Sequence, residues 1–474
     1  MDKLSTYLEI VPIPVAVGAC ILIVLGFLAI PAQHRLFLVL CIMPAWLTIS
    51  RMPDLGVIAP VAKVTSSMGY LLVGLSAMLQ PGPRRQLPAI TWLYVVMAAA
   101  GMLYVMRTND RSLALVQRLQ WLILVVAALQ LSRTMISVQD IKKLVNGLTI
   151  GCLVAVGLPL VGLVMDPGEA FIKGTNRFTP FGINSNQLGM LLAMSVPLFS
   201  YAFLRSRRTS LKPVFAVAAA IGLGMALLTA SRQTMLSIAL TSLPILLVMT
   251  KRPILTVIAL GFGFVALSLI VGLAEATAFE RLGALETNRP QIWADYFKYS
   301  FSKRPVTGLL GVSGFDSTGD VMVGQHPHSA YFNLMYVGGL SLFLPMMLLV
   351  IISCRSALRV WRNRHWMNLD PLLISVLVTL LFVMYIQGLF NQVVYWPTYT
   401  WSFLHIILSC FFISLARDLA YLPAEDVILD TETTYEDEYE ELDKEYGYGA
   451  ASEAIEDEAY GFPDDESGGY AEPV

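Results

Sequence analysis

Apolar runs recur along this chain from Val11 to Ala416, most of them close to the roughly 17–25 residues with which an α-helix crosses a hydrocarbon core about 30 Å thick. A backbone in hydrocarbon must satisfy its own hydrogen bonds, so only helices or closed barrels can span. Spanning strands would alternate apolar and polar residues, and these runs do not. With 56% hydrophobic and 14% charged residues among 474, no ordinary soluble domain has the polar surface to cover such a core. The expected fold is therefore all-α and polytopic. Spans are placed at 11–30, 36–50, 89–106, 114–131, 144–165, 186–205, 212–229, 232–250, 253–274, 330–353, 371–390 and 396–416, about 12 helices. The segment 55–80 is apolar but interrupted by Lys63, Ser66 and Ser67 and bracketed by prolines, which leaves it re-entrant, interfacial or a thirteenth span.

The formal charge of −2 conceals two opposite halves. From Asp418 onward the chain carries 20 acidic residues and one lysine, which leaves 31 basic against 14 acidic residues before it. Basic clusters stand at Arg84-Arg85, Lys142-Lys143, Arg205 to Lys212, Lys251-Arg252 and Arg355 to Arg364, and all share one face if the spans alternate. The positive-inside rule makes that face cytoplasmic. The excess also suits anionic lipids and diphosphates. Domain 1–416 is thus membrane-embedded, and 417–474 is an acidic tail expected to be disordered and cytoplasmic, either solvating or a docking site for partner machinery. The five cysteines show no CxxC pair or metal spacing and read as packing residues. No nucleic-acid partner is expected. The first run is too long for a signal h-region and reads as a retained helix.

The same alternation gathers the polar residues between spans on the opposite face: Arg177, the Ser231-Arg232 turn, and a long loop over 275–329. Within that loop, Asn288-Arg289-Pro290 followed by Ile292, Trp293, Tyr296, Phe297 and Phe301 reads as a capped helix with an aromatic face on the membrane surface. Pro305 to Gly314, with Gly308 and Gly311, reads as a flexible link toward His326-Pro327-His328-Ser329.

Arg232 stands at a hydrocarbon boundary, where a guanidinium is either an interfacial anchor or a bidentate partner for an anionic group such as phosphate. Arg177 lies near Asn184 to Asn186, which look like a helix N-cap, and a helix N-terminus beside an arginine is a natural anion site. His328 could act as a general base, because a neutral imidazole takes a proton from a hydroxyl at ambient pH. The His326-x-His328 pair also invites a metal reading with Asp316 or Asp320, a weak pattern on its own.

Taken in order, four features resemble the O-antigen ligase and O-antigen polymerase family of bacterial envelope proteins over Arg177 to Leu349. They are Arg177…Gly182…Asn186 before a span, the Thr229-x-Ser231-Arg232 turn, Arg289-x-x-x-Trp293 leading to Pro305-x-x-Gly308, and the histidines before the next span. The ligase branch has His-[Asn/Ser/Gln], nine residues, Gly, three residues, then Gly, Thr or Tyr. His328-Ser329 and Gly339 fit that pattern and Phe343 departs from it, which favours the polymerase branch.

The resemblance implies a metal-independent, inverting glycosyltransferase without cofactors in the bacterial inner membrane, acting at the periplasmic face. The donor would be an undecaprenyl-diphosphate-linked glycan. The acceptor would be a sugar hydroxyl on another lipid-linked repeat, or on lipid A-core if the chain is a ligase. Carried over, Arg177, Arg232, Arg289 and Arg281 would hold the diphosphate and His328 would activate the acceptor, with His326, Asn186, Ser231 and Trp293 in support. Membrane lipids, and polysaccharide export or chain-length machinery reached through the tail, would be the other partners. Two readings of other classes remain: a transporter or flippase of lipid-linked glycans, which should hold ionisable residues near the bilayer midplane, and a scaffold in which Arg232 and His328 are idle.

Overall fold

The computed structural model describes residues 13–79, 83–107, 111–135, 138–172, 177–206, 208–239, 289–308, 328–364, 370–391 and 400–421. All belong to the first of the two units into which the chain divides, Met1–Val427. Of the tail expected to be disordered over 417–474, residues 417–421 instead continue the last helix, while 422–474 lie outside the described residues, as do the span expected at 253–274 and most of that expected at 232–250.

The elements are almost entirely helical. In chain order they are α1 (Ile13–Ala29), α2 (Ala32–Ile49), α3 (Ile58–Leu79), α4 (Leu93–Leu103), α5 (Arg111–Thr134), α6 (Val138–Met165), α7 (Ser185–Arg205), α8 (Lys212–Leu228), α9 (Arg289–Lys303), α10 (Ala330–Arg362), α11 (Pro371–Phe390) and α12 (Thr400–Tyr421). A further helix begins at 232 and is described to 239. One antiparallel hairpin, β1 (Phe171–Ile172) and β2 (Arg177–Phe178), departs from the all-helical expectation and pairs Ile172 with Arg177. Among the described residues, seven helices are long and apolar enough to cross a membrane, five of them in α6, α7, α10, α11 and α12 and the others at Ala114–Thr134 and Thr209–Leu228. The protein is helical and membrane-embedded. The ambiguous segment 55–80 contains one continuous 22-residue helix, α3, with no re-entrant break inside it.

Burial separates the centre of the bundle from its rim. In α11 and α12, 83% of the apolar window is buried, against 39% in α8 and α10. A helix apolar all round belongs in a core, and α11 is of that kind from Leu372 to Gly388. Close approach elsewhere depends on small residues. Gly147 and Gly151, one turn apart on α6, face α2, and a Cβ at Gly151 would come 2.7 Å from the carbonyl oxygens of both Leu40 and Cys41.

The helix ends sort into two sets. At one end Arg205, closing α7, pairs with Asp370, which caps α11 by accepting from the Leu372 N–H. Arg85 pairs at 3.1 Å with Asp418 near the end of α12, while its backbone N–H donates to Arg133 O at the end of α5. The opposite end gathers the start of α7, the end of α8, the start of α10 and the end of α11.

Helix α10 is broken at Gly339, whose φ of 58° and ψ of −154° lie in a region open to glycine alone. A break frees amide hydrogens from their intrahelical partners, and buried amides must be paired. The chain after α9 supplies the partners: Leu340 N donates to Pro305 O at 2.8 Å and Ser341 N to Val306 O at 3.0 Å. Gly308, at φ 68°, completes the latch by donating to Arg304 O. The link expected to be flexible is therefore fixed in its first four residues, which pins α9 to α10. Gly339→Ala should undo this. It would add about 1–3 kcal/mol of backbone strain and place a Cβ 2.5 Å from Pro305 O. A lowered thermal midpoint of the detergent-solubilised protein is the expected result, and an unchanged midpoint would speak against the latch.

Candidate functional site

The first arm of the site is built on Arg177. The hairpin sets its backbone, and after the turn at Pro180–Gly182 the Asn184 side chain caps α7 by accepting from Asn186 N at 2.9 Å. The N-cap read from the sequence is present. Asn186 then faces outward, and its Oδ1 accepts from Arg177 Nη2 at 2.9 Å and from Ser231 Oγ at 3.2 Å. Arg177 Nε donates to Thr229 O at 3.1 Å. These bonds hold the turn between α8 and the next helix, in which Ala230 has a positive φ, and Arg232 emerges exposed from it. Gly189 permits the new helix to lie against α7, since a Cβ there would collide with Thr234 Oγ1.

The second arm carries Arg289 and Trp293 on α9. Trp293 stacks on Phe332 of α10, with ring centroids 5.2 Å apart and planes 18° from parallel, and meets Phe390 of α11 at 6.2 Å. The Arg289 guanidinium lies 5.6 Å from the centroid of the same Phe390 ring. Tyr296 packs edge-on against Tyr336 of α10. The aromatic face expected to lie wholly on the membrane surface is thus divided: Trp293 and Tyr296 pack inward on the bundle, whereas Phe297 and Phe301 remain exposed. The reason is the latch at Gly339, which turns one side of α9 onto α10.

The third arm is His328 with Ser329. Ser329 occupies the N-cap position of α10 but directs its hydroxyl to Gly388 O, at 3.4 Å, and the free first-turn amide of Ala330 donates to Asn391 O at 3.0 Å. His328 has a φ of 48° and keeps an exposed edge.

Strain and charge both converge here. Among the described residues the non-glycine positions with positive φ are Phe181, Ala230 and His328, one in each of three segments named from the sequence. Each costs about 1–2 kcal/mol, and such outliers persist where surrounding structure over-determines them, which clusters them at functional sites. Arg289 has its proton affinity lowered by burial and then by the charge of Arg232. His328 is likewise held below the ordinary imidazole value, first by loss of hydration and then by the charge of Arg289. Two guanidiniums and an imidazole therefore share one field. Holding like charges together costs energy, and an anion between them lowers that cost.

The structure brings together Arg177, Asn186, Ser231, Arg232, Arg289, Trp293 and His328. Arg281 and His326, also expected at the site, lie outside the described residues. Among the described residues no three His, Cys, Asp or Glu side chains converge as metal ligands. Sequence reasoning missed the element on which the arms meet, the last turn of α11 from Gln387 to Asn391. An amide side chain inside an otherwise apolar span was the available signal. No family model and no curated protein matches this chain.

Proposed function

We propose that this protein is an inverting membrane glycosyltransferase of about 12 spans, which moves a glycan from an undecaprenyl-diphosphate donor to a sugar hydroxyl and polymerises O-antigen or exopolysaccharide repeats. The observation that carries the proposal is that Arg289 lies close enough to feel the charge of Arg232 and to impose its own on His328, at one end of the bundle. As the acceptor oxygen attacks the anomeric carbon, the bond to the diphosphate breaks and its electron pair leaves with the phosphate oxygen. Guanidiniums held at that position stabilise the growing charge more than the ground state, the role a metal ion has in other glycosyltransferases. The hydroxyl proton passes to His328. Arg177, bonded to Thr229 O and Asn186, holds the Arg232 turn, and its positive charge adds to the field that favours the same anion.

Orientation follows from charge. The end carrying Arg85, Arg205, Lys212 and Arg355 to Arg364 is cytoplasmic by the positive-inside rule, which puts the site at the periplasmic face of the inner membrane and the acidic tail in the cytoplasm. Phe343, at the last position of the ligase pattern, favours polymerase over ligase. A lipid-linked glycan transporter is the second reading, favoured by Arg118 and His405, ionisable side chains buried in the spanning helices α5 and α12, each about one turn from the start of its apolar window.

The deciding experiment incubates purified protein with an undecaprenyl-diphosphate repeat, with and without a chelator. Lengthened lipid-linked glycan in both samples supports the polymerase. Translocation into vesicles without transfer would replace it by the transporter, and loss of transfer on chelation would restore the metal. The pH profile gives a further expectation. Because the imidazole is held below 6.5, the acidic limb of kcat/KM should inflect below that value. Arg289→Gln should move the inflection upward, since it removes the second cause of the depression, whatever it does to the maximum. An inflection that stays in place would show that Arg289 does not face His328 in the working enzyme.

A further inference from the structure

The last turn of α11 touches every arm of the site, and no candidate residue was read there from the sequence. Gln387 is wholly buried, and its Nε2 donates to Ser237 Oγ at 2.8 Å and, more weakly, to Gln233 O at 3.4 Å. Ser237 in turn donates to Gln233 O at 2.7 Å, so the amide grips the first turn of the helix that Arg232 opens. In the other direction Gln387 Oε1 accepts from Asn391 Nδ2 at 3.5 Å, and Gln387 O accepts from Asn391 N at 2.8 Å. Asn391 O receives the Ala330 amide two residues after His328, and Gly388 O receives Ser329 Oγ. Between these bonds, Phe390 carries Arg289 and Trp293. The turn is also the C-terminal end of a helix, equivalent to about half a negative charge, which suits the two arginines it supports.

A buried primary amide is costly in an apolar span unless its groups are bonded, so its place between Arg232 and His328 calls for a reason. We infer that Gln387 is a positioning residue, which couples the Arg232 arm to the His328 arm and thereby sets the distance between the leaving-group site and the base. The inference rests on the proposed glycosyl transfer for its kinetic consequence, but its geometric content stands apart from it. Gln387 touches neither donor nor acceptor. It acts by keeping two charged groups in register across a helix end.

Gln387→Met preserves length and apolar packing while removing both ends of the amide. Two measurements test it in the full chain. Nitroxide labels on Leu236→Cys and Phe297→Cys, with the native cysteines replaced, report the separation of the arms, because Leu236 lies on the helix opened by Arg232 and Phe297 on α9, which is latched to α10. Both positions are exposed. The distance distribution should broaden in Gln387→Met. In the transfer assay kcat should fall roughly 10- to 100-fold, the scale of a misplacement of about 1 Å, with KM for the donor little changed because the arginines remain. Ser237→Ala, which removes the other half of the contact without touching α11, should move both readouts in the same direction by less, and it serves if Gln387→Met does not fold. An unchanged distance distribution overturns the inference even if kcat falls, and so does an unchanged kcat beside a broadened distribution. Absence of transfer by the unsubstituted chain, with broadening in the variant, would remove the glycosyltransferase reading and leave the coupling of the arms.

Discussion

His328→Ala is expected to reduce glycan transfer by roughly 10²–10⁴-fold, the usual consequence of deleting a general base. Binding of the diphosphate donor should be largely retained, because Arg177, Arg232 and Arg289 are untouched. The geometry supports this histidine through restraint. Its neighbour Ser329 bonds to Gly388 O and the amide of Ala330 bonds to Asn391 O, so the chain around His328 is held to the end of α11. Its backbone is also kept in a left-handed conformation that few non-glycine residues adopt. The imidazole, held below its ordinary proton affinity, is neutral and ready to accept a proton at neutral pH. His326→Ala is expected to be much milder. Wild-type activity in purified His328→Ala would remove the base, and comparable losses in the two variants would remove the distinction between the histidines.

Arg232→Lys should be nearly as damaging, with normal amounts of protein in the membrane. Lysine keeps the charge but replaces a planar fork of donors by a compact ammonium, and a diphosphate whose charge shifts during the reaction is better matched by the fork. The side chain is exposed, so the substitution removes no core packing. The turn that carries it is held by Arg177, Asn186 and Ser231 and should survive. Near-normal transfer by Arg232→Lys would favour the interfacial anchor over the phosphate ligand. A loss confined to KM would mean that the guanidinium binds ground and transition states equally.

Much of the architecture is legible in the residues. Helices that cross hydrocarbon must be long and apolar, and that demand is local, so α5 to α8 and α10 to α12 could be located from composition along the chain alone. The Asn184 cap and the tight turn before Arg232 were legible for the same reason, since capping and turn chemistry involve neighbours in sequence. The division of α9 was not. Trp293, Tyr296, Phe297 and Phe301 are equivalent as aromatic residues, and which of them face the bundle depends on the latch between Pro305 and Gly339, 34 residues apart.

Sequence by itself determined the class of the protein, the separation of a basic body from an acidic tail, and which arginines and histidines stand at the ends of spans, because each follows from the cost of placing charge and open backbone in hydrocarbon. Only the tertiary structure decided that Arg177 is bonded to the turn it was expected merely to accompany, that Arg232, Arg289 and His328 share one field, and that Gln387 lies between them. Those relations join residues up to 154 positions apart, as Gln387 and Gln233 are. They arise from the packing of helix ends, in which a bond made by one residue is defined by the position of another that no local pattern specifies.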